Sequence, residues 1–213
     1  MTMHRRSVLF AALHVAGPLL LAGCSVLPDR PYREVRRFAL APLRPSALPP
    51  AAQAPALLLR DVRAAPGLDQ RGLRSLGSDG QVSQDFWAEW AAPPAELVEE
   101  ATRRWLTASG RFAAITQPGS RLRAGLVLEV ELLRLQTEPM ARLARAGLAG
   151  LLLLEPPEGG RPTRILGQVQ AEGSAPLPAG DDPARAAAAM GAALAQALML
   201  LERQIVAAMP RGG

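Results

Sequence analysis

Few residues in this sequence offer chemistry. Cys24 is the single cysteine, His4 and His14 are the two histidines, and lysine is absent, so every basic side chain beyond the histidines is an arginine. Past residue 24 there is therefore no imidazole base, no amine for a Schiff base and no second thiol. Zinc sites built from histidine and cysteine are ruled out on the same ground. Carboxylates remain, and Asp61, Asp69, Asp79 and Asp85 are the candidates for a glycosidase-like pair. Their spacing matches no catalytic pattern, and solvated surface positions account for each. No glycine-rich phosphate loop appears. The residue types argue for a protein that is not an enzyme and that holds no metal or diffusible cofactor, which leaves the thiol of Cys24 as the reactive group.

Its surroundings say what that thiol does. Arg5 and Arg6 form a basic head without acids, Val8–Ala22 is an apolar run, and Leu21-Ala22-Gly23-Cys24 closes it. The run is shorter than the roughly 20 residues that span a bilayer. A basic head, an apolar middle and a small-residue exit read as a secretory signal over residues 1–23. The last four residues resemble the bacterial lipobox, in which the cysteine sulfur takes a diacylglyceryl group through a thioether and the chain is cut just before it. A plain signal peptide or an uncleaved anchor is the simpler alternative. Each buried methylene stabilises an anchor by about 0.8 kcal/mol, so two or three acyl chains on Cys24 hold firmly where one does not. Ser25 follows the cysteine. The aspartate that retains enteric lipoproteins at the inner membrane is absent, so the expected location is the periplasmic face of the outer membrane, with the inner membrane as the alternative.

Removing residues 1–23 leaves about 190 residues, enough for one domain with its own core. The formal net charge of +5 falls to +3 once Arg5 and Arg6 are removed. No arginine cluster interleaves with aromatics, which argues against nucleic acid as a partner.

The elements follow from periodicity. Residues 24–31 form a lipidated tether, with Ser25–Pro31 reaching roughly 20 Å if extended, and the domain is expected over 32–209. Tyr32–Leu40 is a candidate edge strand, and the prolines of Ala41–Pro55 make that segment a loop. Ala56–Arg63 reads as a strand. Strand-like pieces around Leu73–Leu76 and Gln81–Ser83 flank a hairpin turn at Ser78-Asp79-Gly80. Pro93-Pro94 opens a helix whose apolar stripe is Leu97, Val98, Ala101, Trp105 and Ala108, and Gly110 ends it. Phe112–Thr116 and Leu126–Leu135 are strands. Leu143–Leu154 is apolar enough for a strand or a helix and is read as a strand, because Pro156-Pro157 and Gly159-Gly160 turn it directly into a segment alternating Ile165, Val169 and Ala171 with Arg164, Gln168 and Gln170; Leu126–Leu135 and these two form an antiparallel meander. Asp181-Asp182-Pro183 caps a second helix with the stripe Met190, Leu194, Ala197, Leu198, Leu201 and Ile205. The expected fold is α+β, an antiparallel sheet with two helices packed on one face.

The order of these pieces resembles the ABC-type transport auxiliary lipoproteins. The stretches that carry the resemblance are Leu57-Leu58-Leu59-Arg60-Asp61-Val62, Gly67-Leu68-Asp69, Phe86-Trp87-Ala88-Glu89, Pro93-Pro94-Ala95-Glu96-Leu97-Val98, Ser109-Gly110-Arg111-Phe112 and Leu128-Glu129-Val130. One departure is visible: Leu76–Gly80 stands where such proteins often carry a tyrosine-rich segment. The resemblance implies a non-catalytic part in lipid transport across the envelope. The implied partners are a mammalian-cell-entry-type substrate-binding protein with its ABC permease and ATPase, together with membrane lipid; the only bound group implied is covalent lipid on Cys24, and a homo-oligomer is compatible with the role. A scaffold lipoprotein for lipopolysaccharide or outer-membrane assembly is the alternative, and an envelope hydrolase with paired carboxylates a third.

A docking protein needs a partner surface. Phe86, Trp87 and Trp90 lie in a Pro-flanked segment ahead of the first helix and alternate poorly for a strand, so they are the candidate anchors. Trp87 sealing the core beneath that helix is the competing reading. Trp105 belongs to the helix's core stripe. Leu151–Leu154 fits a buried strand better than a lipid groove.

Overall fold

A computed structural model describes residues 32–155 and 162–210. The signal, Cys24, its tether and the turn around Pro156-Pro157 and Gly159-Gly160 lie outside the described residues. Val35–Gly213 forms one compact unit. In chain order the elements are β1 (Arg36–Phe38), β2 (Ala56–Ala64), β3 (Gly72–Leu76), β4 (Val82–Trp90), α1 (Pro94–Thr107), β5 (Ala114–Thr116), β6 (Leu126–Glu138), β7 (Leu143–Leu154), β8 (Arg164–Pro176) and α2 (Pro183–Ala208).

The thirteen-residue β6 is the spine. One of its edges pairs with β7 along its whole length, and β8 follows β7, so the expected antiparallel meander is present. Its other edge is divided between two strands. Leu126–Leu132 runs parallel to β2, and Thr137 meets Ser75 of β3, also in parallel. Beyond them β5 runs parallel to β2, β4 antiparallel to β3, and β1 parallel to β4. Four of the seven pairings are therefore parallel, and the sheet is mixed rather than antiparallel as the pattern suggested. Alternation reports which face of a strand is buried and is silent on the direction of its neighbour. The chain leaves β2, builds the β3–β4 hairpin and α1, and returns to β2's edge in parallel, which needs a long crossover of this kind.

Cross-strand rows build the core. Leu59, Leu128 and Leu152 share one row; Val62, Val130, Gly150 and Val169 share the next; Ala64, Leu132, Leu148 and Ala171 share the third. The α2 stripe of Met190, Leu194, Ala197, Leu198, Leu201 and Ile205 is buried as expected. Gly173 lets this helix approach β8, because a Cβ there would stand 2.0 Å from the Ala193 carbonyl oxygen. By length and composition α2 could also cross a membrane, but half of its most apolar window is buried inside the domain, as in a core helix. Val98, Ala101, Trp105 and Leu106 are the buried apolar residues of α1 beyond its first turn.

One alternating position departs from the pattern. Leu152 pairs with Gly167 and Leu153 with Ile165, so Leu166 is an extra residue in β8. This bulge turns Ile165 away from the side of Val169 and leaves it 65% exposed. Residues 39–55 form the expected loop. It is tied down where the Leu48 amide donates to the Ala108 carbonyl and the Ala51 amide to the Gly110 carbonyl, each at 2.9 Å. Arg44 adds an ion pair with Glu202 of α2.

Candidate functional site: an aromatic pair on a bulged strand

The Pro-flanked aromatic segment is the strand β4, and its irregular alternation has a structural cause. Gly72 pairs with Glu89 but Arg74 pairs with Gln84, so β4 carries extra residues opposite Leu73. The Asp85 carboxylate accepts the Trp87 amide at 2.7 Å and holds the kink. Gly72 makes room for it, since a Cβ there would stand 2.8 Å from the Asp85 carbonyl oxygen.

The kink divides the three candidate anchors. Phe86 is 77% exposed, and Trp87 packs edge-on against it with ring centroids 5.0 Å apart and planes at 83°. Trp87 is half-buried and stands outside the central apolar cluster, so it does not seal the core. Trp90, at 1% exposure, belongs to that cluster and has no surface to offer a partner. Its backbone is fixed on both sides: its amide donates to the Arg71 carbonyl at 2.7 Å, and its carbonyl accepts Arg71 Nε at 3.1 Å. Glu89 next to it accepts from both Arg37 and Arg71, binding β1 to β4. The kink at mid-strand thus leaves the Phe86 ring exposed with Trp87 half-buried against it, and aromatic residues are favoured as interface anchors. Alternation alone could not separate Trp90 from the pair, because the bulge shifts the phase between them.

The four aspartates fall on separate local tasks. Asp61 pairs with Arg63 on β2, Asp69 sits in the turn before β3, Asp79 accepts the Gln81 amide in the hairpin turn, and Asp85 holds the kink. Among the described residues no three acidic, histidine or cysteine side chains gather as a metal site would require.

On the sheet face away from the helices lies an open trough of about 470 Å³ whose polar walls include Arg63, Glu129, Glu131, Gln168 and Gln170. Beside it Arg60 bonds Glu155 at 2.6 Å and Glu129 at 3.2 Å. The Glu155 hydrogen bond, more than any other contact, holds the Arg60 guanidinium above its ordinary pKa. Arg134 and Glu172 pair across Gly147 of β7 at 3.1 Å. These pairs keep the face charged, structured and open to water.

One organising group was not identified from sequence. Glu202 of α2 accepts from Arg44 and from Trp105 Nε1, the latter at 2.8 Å, while the Arg44 guanidinium lies 5.0 Å from the Trp105 ring centre. This cluster joins the loop, α1 and α2. A glutamate on the buried side of a helix stripe was its signal, since Glu202 falls between Leu198, Leu201 and Ile205.

The geometry has counterparts among known proteins. A crystal structure of a Xanthomonas campestris protein of the DUF330 family superposes with a TM-score of 0.63 at 21% identity, covering 81% of this chain and 95% of that one. A second crystal structure, of an uncharacterized protein, gives a TM-score of 0.56 at 14% identity over 81% and 99% of the two chains. At these identities the likeness concerns the fold. No curated protein matches the sequence. Residues 38–206 match the family described as the ABC-type transport auxiliary lipoprotein component, a match that covers the sheet, both helices and the aromatic strand. The chain belongs to that family.

Proposed function

We propose that this protein is the lipid-anchored, non-catalytic auxiliary component of a mammalian-cell-entry-type lipid transport system, fixed by Cys24 to the periplasmic face of the outer membrane. There it docks the periplasmic end of the transport assembly, and Phe86 and Trp87 are its anchors. Family membership over residues 38–206 carries this reading, and it places the chain with an ABC transport system in the cell envelope. The lipobox-like Leu21–Cys24 supports attachment, and Ser25 supports the outer membrane. The aromatic pair offers what a docking protein needs: an exposed Phe86 ring backed by Trp87 at a kink that the Asp85 carboxylate holds. The scattered aspartates, the confinement of both histidines to residues 1–23 and the absence of lysine support a role without catalysis.

The test is crosslinking in native membranes, with a photoreactive residue at position 86 and mass spectrometry of the adducts. Recovery of a mammalian-cell-entry-type protein, lost on Trp87→Ser, supports the assignment. Adducts with outer-membrane assembly factors instead would move the protein to the scaffold role. In parallel, Cys24→Ala should abolish acylation and release the domain from membranes; retention of the variant would overturn the anchor.

A further inference from the structure

We propose that the groove between α2 and the segment Phe38–Leu43 is a binding site for one acyl chain of a bilayer phospholipid. The groove encloses about 430 Å³, and none of the ten residues that line it carries a polar side-chain atom. That volume falls in the range of small-molecule sites, about 300–1,000 Å³. One wall is α2, through Ala184, Ala188, Ala192 and Ala195, a run of about 16 Å along the helix. The facing wall is the extended segment, with Ala39, Ala41 and Leu43 turned outward and Leu40 turned into the core. Leu43 stands at the mouth and is 84% exposed.

The groove has a floor that packing does not explain. Gly191 is buried within α2, and among the described residues beyond its own helical turn the one neighbour a Cβ there would meet is the Ala41 carbonyl oxygen, at 4.0 Å. Glycine inside a helix is destabilising relative to alanine. Gly173 answers to a close helix–strand contact, whereas at Gly191 the missing side chain only deepens the groove.

The lining also selects among occupants. A peptide would bring backbone amides and carbonyls that need partners when buried; the lining side chains supply none, which leaves only the backbone of the facing wall, such as the Ala41 carbonyl, to meet them. An acyl chain brings no such groups. The trough on the opposite sheet face, with its arginine, glutamates and glutamines, is suited to polar ligands and makes the contrast within one molecule. Position supplies the source. Phe38, the first wall residue, lies fourteen positions after Cys24, a span of at most about 50 Å when fully extended. A domain tethered so closely to acylated Cys24 stays beside a bilayer. The inference rests on the anchored reading for that supply of lipid and on the groove's own chemistry for the rest.

The experiment uses the full-length lipoprotein reconstituted in vesicles of phosphatidylethanolamine and phosphatidylglycerol, with a trace of phosphatidylglycerol bearing a diazirine at the acyl terminus. After irradiation, labelled residues are located by mass spectrometry. The expected adducts fall on Leu43, Ala188 and Ala192. Gly191→Leu fills the floor, and Ala188→Glu places a charge on an exposed helix position; each should lower groove labelling about tenfold or more while labelling of residues 25–31 stays unchanged. Circular dichroism confirms that both variants fold. Adducts confined to the tether, or groove adducts indifferent to both substitutions, would overturn the proposal. The protein's own acyl chains carry no diazirine, so occupation of the groove by the Cys24 lipid leaves it unlabelled and also counts against the proposal. No transporter component is present, so this outcome is independent of the crosslinking test above.

Discussion

Gln204 of α2 completes the edge of the sheet at Gln170: its Nε2 donates to the Gln170 carbonyl at 2.7 Å, and its Oε1 accepts the Gln170 amide at 3.1 Å. One side-chain amide thus makes the two bonds that a neighbouring strand would make. Two helical turns earlier, Gln196 accepts the Ser174 amide at 3.3 Å. An uncovered edge strand is a template for pairing with another chain, and among the described residues β8 pairs only with β7. Replacing both glutamines by leucine should cost about 1 kcal/mol in stability and raise concentration-dependent self-association. Sedimentation velocity beside the wild type checks this; unchanged association would show that the glutamines do not guard the edge.

Glu202 should behave as a shared acceptor. Glu202→Ala leaves Arg44 and the Trp105 indole N–H without their carboxylate in a largely buried setting, at a cost of about 3 kcal/mol. Glu202→Gln keeps an oxygen for one of them and should lose less. Urea denaturation of both variants and of Arg44→Ala distinguishes a shared acceptor from a simple packing residue, for which the two Glu202 variants would lose equally.

The centre and the C-terminal end of β4 should separate stability from docking. Phe86→Ser, at an exposed ring, should change stability by less than about 0.5 kcal/mol and abolish partner crosslinking. Trp90→Ala, in the core, should cost about 3–5 kcal/mol. If Phe86→Ser instead unfolds the domain, its role is structural.

Asp182 predicts a pH window. The Ala184 amide, assisted by Arg36, holds its carboxyl below the ordinary aspartate value. A group lowered in this way contributes stability that is present above about pH 4 and lost as pH falls through its folded value. Asp182→Asn retains a good helix cap but loses the charge. Its urea midpoint should lie below the wild-type midpoint at neutral pH, and the two should converge as pH falls through the folded value of Asp182. A constant gap across that range would assign the effect to something other than ionisation.

Much of this fold was legible because its strong signals are local. The Asp181-Asp182-Pro183 cap, the α2 stripe, the Leu143–Leu154 strand and the hairpin turn at Asp79-Gly80 each follow from a few adjacent residues. Strand direction was not legible, since β2 and β6 read the same whether they lie parallel or antiparallel. Bulges were also hidden: the one at Leu166 turned Ile165 outward, and the one at Asp85–Trp87 separated Phe86 from Trp90. At the site, the aromatic composition was informative and the phase was not. The Glu202 cluster depends on residues from three distant segments, and only the folded chain brings them together.

The three-residue β1 has a mechanical consequence. It is the first described strand of the domain, and its hold includes the register of Arg36–Phe38 on Ala88–Trp90, the Ala91 amide on the Phe38 carbonyl, the Arg37–Glu89 pair and the Arg36–Asp182 pair. Any tension that reaches the domain through its N-terminal segment is delivered there before it reaches β2 or the helices. β1 is then where such a load is first resisted, and its bonds to β4 and α2 are the ones that carry it.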